Sequence, residues 1–161
     1  MLTNFILYKD DEKMKFRKAT INEIDNLIYL RKKQLVDEGI EPNQNIDTKL
    51  KEFFTNKMND GSLIEWIVED NEEMIATGAI IFYEFPPTYT NKSGKKAYIT
   101  NMYTKENYRG QGIATKLLTK LVAEAKTAGI TKIWLGASKL GRPVYKRFGF
   151  EEADEWLELN L

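Results

Sequence analysis

Apolar residues follow two rhythms along this chain. From Ile24 through Leu27, Ile28 and Leu35 they recur every three or four positions, the spacing of one helix face. The segment TINE comes just before, so that Thr20 can cap the helix while Glu23 reaches back in a reciprocal box, and DEG closes it near Gly39. After a polar EPNQN loop the same spacing returns in Leu50, Phe53, Phe54 and Met58. This second helix is expected to be capped by Asp47 and closed by Asn59-Asp60-Gly61. The period then falls to two. SLIEWIVED and MIATGAIIFYEF, joined by a turn-like NEE, read as antiparallel strands, the second stopped by Pro86 and Pro87. A polar stretch from Thr88 to Gly94 has the composition of a mobile loop, and KAYITNMYT is a further strand. Upstream, Phe16 to Ala19 is a strand as well. From Gly112 to Ala128 the helical rhythm is strongest, with Ala114, Leu117, Leu118, Leu121 and Ala125 on one face and Gly129 as the stop. ITKIWLGA reads as a strand and GRPVYKRF as a short helix. Two short strands are expected between Gly149 and Asn160. The order β-α-α-β-β-β-α-β-α-β-β implies an α/β sandwich with a mixed sheet.

Composition narrows the chemistry. The chain has 161 residues, 42% hydrophobic and 30% charged, which fits one globular domain with a real core. Formal net charge is zero, which argues against a broad basic face for nucleic acid but leaves room for a local anion site. Cysteine and histidine are both absent, excluding disulfides, thiolate or histidine metal sites and triads built on histidine. Acid–base work must fall to Tyr, Asp, Glu, Lys, water or backbone. The apolar run FILY near the start is too short to span a membrane, so a cytoplasmic protein without a membrane partner is expected. Residues 1–13 read as an N-terminal extension, with an extra edge strand as the alternative, and 14–161 as the working domain.

One stretch calls for a partner outside the chain. In YRGQGIATKLL a long helix opens after two glycines with no acid in its first turn, although acids are favoured there. Backbone amides at such a turn converge on one place and suit a phosphate. Glycine at positions 110 and 112 would keep side chains out of the way of that approach. A dinucleotide fingerprint fails, because position 115 is Thr115 rather than glycine and the strand Ile133-Trp134-Leu135-Gly136 ends without an acid. A P-loop fails because Ile113 follows Gly112.

The pattern Arg109-x-x-Gly112-x-Ala114 after a strand resembles the acyl-coenzyme A signature of the GNAT superfamily of N-acetyltransferases. Tyr145-Lys146-Arg147-Phe148-Gly149-Phe150 is similar to that family's Y-x-x-x-G-F segment, and the element order from Met14 to Leu161 matches too. The resemblance implies a single-domain sandwich whose mixed, mostly antiparallel sheet is splayed between strands four and five, with helices on both faces. It implies acetyl-coenzyme A as cofactor, no metal, and a small-molecule or peptide amine as acceptor, with a homodimer possible.

Site residues follow from the same resemblance. The amides of Gln111, Gly112, Ile113 and Ala114 would cradle the pyrophosphate, with Arg109 and Lys116 as further phosphate partners and Gly110 and Thr115 among the cofactor-binding residues. Asn101, Met102, Tyr103 and Thr104 would pair with the pantetheine through backbone, and the N–H of Met102 or Tyr103 would polarise the thioester carbonyl. Ser138 stands where the family often has an asparagine. Tyr145 would protonate the leaving thiolate, and Glu84, ending the third strand, is the candidate base acting through water. Tyr29, Phe53, Phe54, Tyr83, Phe85 and Tyr89 are candidates for the acceptor pocket. An acyl-coenzyme A sensor without transferase activity is the alternative reading, which retention of Tyr145 disfavours.

Overall fold

The computed structural model describes residues 14–161, and the reading of 1–13 as an extension lies outside them. The strands are β1 (Met14–Lys18), β2 (Leu63–Asp70), β3 (Glu73–Glu84), β4 (Lys95–Thr104) and β5 (Ile133–Leu135). They form one sheet in the order β1-β2-β3-β4-β5, antiparallel throughout except for the parallel β4–β5 pair. The helices are α1 (Ile24–Asp37), α2 (Asp47–Asn59), α3 (Ile113–Thr127) and α4 (Arg142–Phe148).

The two sheet faces bury different helices. Leu27 and Leu30 of α1 and Phe54 of α2 pack on Leu63, Ile67 and Ala79. On the other side Leu118, Leu121 and Ala125 of α3 and Tyr145 of α4 pack on Ile80, Ala97 and Ile99. In α3 the inner face takes Ile113 rather than Ala114, which is half-buried.

Local chemistry explains most element ends. Thr20 and Glu23 form the expected box, the Thr20 amide donating to Glu23 at 2.8 Å, although the first turn is 3₁₀ before α1 proper begins at Ile24. That carboxylate also holds Arg17 at 2.5 Å, and hydrogen bonding to the guanidinium lowers its pKa to about 2. Asp47, expected as a cap, is the first helical residue instead; the Asn45 side-chain oxygen accepts its N–H at 2.9 Å. Asn71 and Glu72, both at positive φ (50° and 65°), make the two-residue turn between β2 and β3. The β3–β4 loop is internally tied, with Thr88 and Asn91 exchanging backbone bonds and the Phe85 amide reaching the Gly94 carbonyl at 2.9 Å.

The end of the chain departs from expectation. No strand forms from Gly149 to Asn160. That segment is instead held to β5 by side chains: Trp156 lies edge-on to Trp134 at 5.2 Å between ring centres, and Lys132 meets Glu155 at 2.9 Å. Since β5 pairs over only three residues, it offers a short edge for any further strand.

Candidate active site

The β4–β5 pairing covers Ala97↔Ile133, Tyr98↔Trp134 and Ile99↔Leu135, and then stops. Beyond Ile99 the two strands part, and the backbone edge of Met102, Tyr103 and Thr104 is left facing a cleft rather than a neighbouring strand. An irregularity in β4 lies at the same place. Thr77 faces Tyr103 and Ala79 faces Thr100, so Asn101 and Met102 together stand opposite the single residue Gly78, a β-bulge. Asn101, the first residue of the bulge, has a positive φ of 53°.

At the far end of that open edge, Gly110 and Gly112 adopt φ of 74° and 78°. Added Cβ atoms would meet nothing within 4 Å, so within the chain it is the left-handed backbone that demands glycine, and the space in front is the cleft itself. Gly112 is the N-cap of α3, and neither a side-chain cap nor a first-turn acid serves this terminus. Its leading amides are thus available to an anion. The cleft encloses about 350 Å³, and Gly110, Gly112, Ile113, Ala114 and Thr115 line it.

Tyr145 forms part of the opposite wall. The residue is 9% exposed; its ring sits edge-on to Phe150 at 6.1 Å and presses against Gly141, where a Cβ would come within 2.8 Å of the ring. Burial first, then the charges of Glu38 and Tyr98, pushes its phenol up to about 12. Ser138 lines the cleft as well, and its hydroxyl accepts the Gly141 N–H at 3.1 Å, steadying the turn that delivers α4. Phe148 and Phe150 are partly buried and pack against the core on that side of the sheet.

Other expected site residues fall differently. Arg109 lines the cleft, yet its guanidinium is engaged, Nε with the Thr104 carbonyl at 2.9 Å and Nη2 with Asp37 at 2.6 Å. Gln111 and Lys116 stand outside the lining, Lys116 over the ring of Phe16 at 5.7 Å. Asn101 is outside it too; its side chain is buried and donates to Glu65. Glu84 pairs in register with Lys95 at the opposite end of β4 from Met102–Thr104, and is exposed. None of the six acceptor-pocket aromatics borders the cleft. Phe54 is core, while Tyr89 is wholly exposed.

Three polar residues that the periodicity passed over do border it: Gln34, Asp37 and Glu38, from the last turn of α1 and its C-cap. Gln34 is 8% exposed, accepts from Arg31 and donates to Glu38, both at 3.0 Å. Nothing in their spacing distinguishes them from an ordinary polar helix end. Glu65 was overlooked despite a readable signal, an acid between Leu63 and Ile67 on the inward face of a strand.

Comparison with known proteins agrees with this architecture. The model of the family described as Acetyltransferase (GNAT) family matches residues 27–150. The chain belongs to that family. A predicted acetyltransferase from Clostridium acetobutylicum, crystallised with acetyl-CoA, is 59% identical to this GNAT chain, with a TM-score of 0.89 over 91% of this chain and 96% of that one. A GCN5-related N-acetyltransferase from Ralstonia eutropha shares the fold at a TM-score of 0.80 and 22% identity, over 91% and 98% of the two chains. Among curated proteins, the thialysine N-epsilon-acetyltransferase of Bos taurus is 31% identical over 43% of this chain and 44% of its own length. An uncharacterized N-acetyltransferase of Methanocaldococcus jannaschii is 36% identical over 39% and 30%. The chain therefore spans less than half the length of these two curated relatives. Among the described residues no helix is long and apolar enough to cross a membrane, and no cluster of three or more Asp or Glu could hold a metal ion.

Proposed function

We propose that residues 14–161 form an acetyl-coenzyme A-dependent N-acetyltransferase domain, which moves the acetyl group to a primary amine by direct attack with both substrates bound. One observation carries the reading: an unpaired backbone edge, Met102–Thr104, leads from a strand bulge to an uncapped helix N-terminus, with Tyr145 on the facing wall. The cleft suits coenzyme A in shape and donors, and the Clostridium acetobutylicum relative holds acetyl-CoA.

Bound there, acetyl-coenzyme A supplies an activated thioester. The amides of Gly112, Ile113, Ala114 and Thr115 receive the pyrophosphate, and the edge of Met102–Thr104 pairs with the pantetheine amides. The Met102 N–H donates to the thioester oxygen, a contact of a kind worth about 3 kcal/mol when charge develops there; the Tyr103 N–H is turned toward Thr77 of β3 instead. Tyr145 keeps its proton at neutral pH and gives it to the departing sulfur. Arg109 serves mainly to tie β4 to α1, because two of its nitrogens are already engaged. Glu38 replaces Glu84 as the carboxylate of choice for the acceptor: it borders the cleft, is steadied by Gln34, and its charge reaches Tyr145. It would hold the incoming ammonium and take the proton that the amine must lose. A cationic small molecule or an amino acid with a side-chain amine is the acceptor class this favours, in line with the thialysine for which the bovine relative is named.

Thermal unfolding with acetyl-coenzyme A, coenzyme A and NAD at matched concentrations, followed by turnover on amines, tests the reading. Both coenzyme A forms should stabilise, by about 2.7 kcal/mol at a hundredfold excess over Kd, and NAD should not. Stabilisation without turnover on lysine-like amines, polyamines or peptides would instead favour the sensor.

A further inference from the structure

A single acid interrupts the inward face of β2. Leu63 and Ile67 on either side of it belong to the core beneath α1 and α2, and Glu65 between them is 2% exposed. A carboxyl at this depth persists only with partners. The Thr77 hydroxyl on β3 donates to its Oε1, and Asn101 Nδ2 on β4 donates to its Oε2 at 3.2 Å. Arg31 on α1 is the charged group whose field reaches it. One side chain thereby links three neighbouring strands on one face.

The link to Asn101 is the informative one. Three non-glycine residues among those described have positive φ; two form the turn between β2 and β3, and the third is Asn101, mid-strand and 5% exposed. A left-handed residue in such a place holds only when its surroundings over-determine it. Met102 contributes from the other face, its sulfur lying over Gly78 where a Cβ would come within 2.5 Å. Glu65 contributes from this one. The bulge so held follows the last β4–β5 pair, at Ile99, and directly precedes the edge that borders the cleft.

We propose that Glu65 is a positioning residue: through Asn101 it locks the β4 bulge in its left-handed form and so fixes the aim of the Met102 amide into the cleft. Its consequence for turnover rests on the acetyl-transfer reading above; the lock itself is a property of the folded chain. Glu65 touches no substrate and acts only on the backbone that does.

A double-mutant cycle of Glu65→Leu and Asn101→Gly tests this, with Glu65→Gln as the conservative variant. Leucine removes both acceptor oxygens, and glycine adopts positive φ freely but has no side chain to anchor. Two readouts are taken, kcat and KM for acetyl-coenzyme A, and deuterium exchange of the peptide containing Met102–Thr104. Each single change should lower kcat by about tenfold or more while KM moves less than about threefold, and should speed exchange of that peptide. The double variant should be no slower than the worse single one, since both act through one contact. Glu65→Gln should retain most turnover, its amide accepting from Thr77 and donating to the Asn101 oxygen. Exchange unchanged in both single variants overturns the proposal, and so do losses in kcat that multiply in the double variant. If Glu65→Leu does not fold, Thr77→Val removes the hydroxyl that orients Glu65 and should act in the same direction. A wild-type chain inactive on every amine counts against the acetyl-transfer reading alone, because the exchange arm still decides the lock.

Discussion

Arg109 Nη2 donates to Asp37 Oδ2 at 2.6 Å, which bonds the residue opening the glycine turn to the last residue of α1. With its Nε on the Thr104 carbonyl, one guanidinium joins the end of β4, the turn and the neighbouring helix. Both side chains are about one-third exposed, at 31% and 35%, so the pair is partly screened. Asp37→Asn should cost about 0.5–1 kcal/mol, a fall in Tm of a few degrees, and should weaken coenzyme A binding by loosening the wall. An unchanged Tm with tighter coenzyme A binding would instead mark Arg109 as a phosphate ligand that Asp37 merely holds back.

Gly141 has room for the ring of Tyr145 and for little else. Its φ of −79° suits alanine, yet a Cβ would lie 2.8 Å from Cε2 and 3.3 Å from Cζ of that ring. Gly141→Ala should therefore shift the phenol, lowering kcat by about tenfold, with coenzyme A affinity nearly unchanged and at most about 1–3 kcal/mol of stability lost to overpacking. In the wild type, a phenol near 12 stays protonated through the working range, so the pH profile of kcat should show no falling limb from Tyr145 below about pH 10. Normal turnover by the alanine variant would remove Tyr145 from proton transfer.

Glu65 should leave a signature in stability against pH. Burial outweighs the bonds from Thr77 and Asn101 and the charge of Arg31, pushing its carboxyl from 4.5 to about 7. The native state then holds this proton more tightly than the unfolded state does. The resulting stability is complete below about pH 4.5 and is lost as pH rises to about 7, by up to about 3 kcal/mol. Glu65→Gln does not titrate. Urea unfolding of both proteins at about pH 5 and pH 8 should show the glutamine variant gaining on the wild type as pH rises, and an unchanging difference would count against a raised carboxyl.

Glu72 supplies a cheaper test of the backbone. It sits at φ 65° in the two-residue turn between β2 and β3, immediately after Asn71 at 50°. Left-handed geometry costs a residue with a side chain about 1–2 kcal/mol, and Asn-Gly is the favoured pair in such turns. Glu72→Gly should stabilise by about 0.5–1 kcal/mol, net of glycine's extra unfolded entropy, with turnover untouched. Destabilisation in denaturant unfolding would mean that the Glu72 side chain does something the turn geometry hides.

Much of the fold could be read because periodicity reports burial. Leu27, Ile28, Leu118 and Leu121 announce their helices, and the fall to period two at Leu63 announces the sheet. The glycine turn was legible because Gly110 and Gly112, ahead of an acid-free helix start, leave both the backbone and the charge that an anion needs. The C-terminal strands expected between Gly149 and Asn160 do not form, and apolar residues such as Trp156, Leu157 and Leu159 say nothing about whether β5 has an edge long enough to receive them. Glu84 looked well placed because it ends a strand. Because β3 and β4 are consecutive antiparallel strands, that end lies beside the start of β4 at Lys95, away from Met102–Thr104. Asp37 and Glu38 face Tyr145 across a gap of more than a hundred residues, a relation that only tertiary packing creates.

The three residue pairs joining β4 to β5 are the apex of a wedge, and everything beyond them diverges. The amide that would meet the thioester rides on one arm and Tyr145 on the other, so the apex governs the span between them. Gly136, where the Tyr98 hydroxyl accepts its N–H at 3.0 Å, is the first residue of the free arm. Opening the angle there would admit a bulkier acyl chain without altering a single side chain that touches it. On the acetyl-transfer reading proposed above, acyl preference would then be a matter of leverage at the hinge as much as of pocket shape.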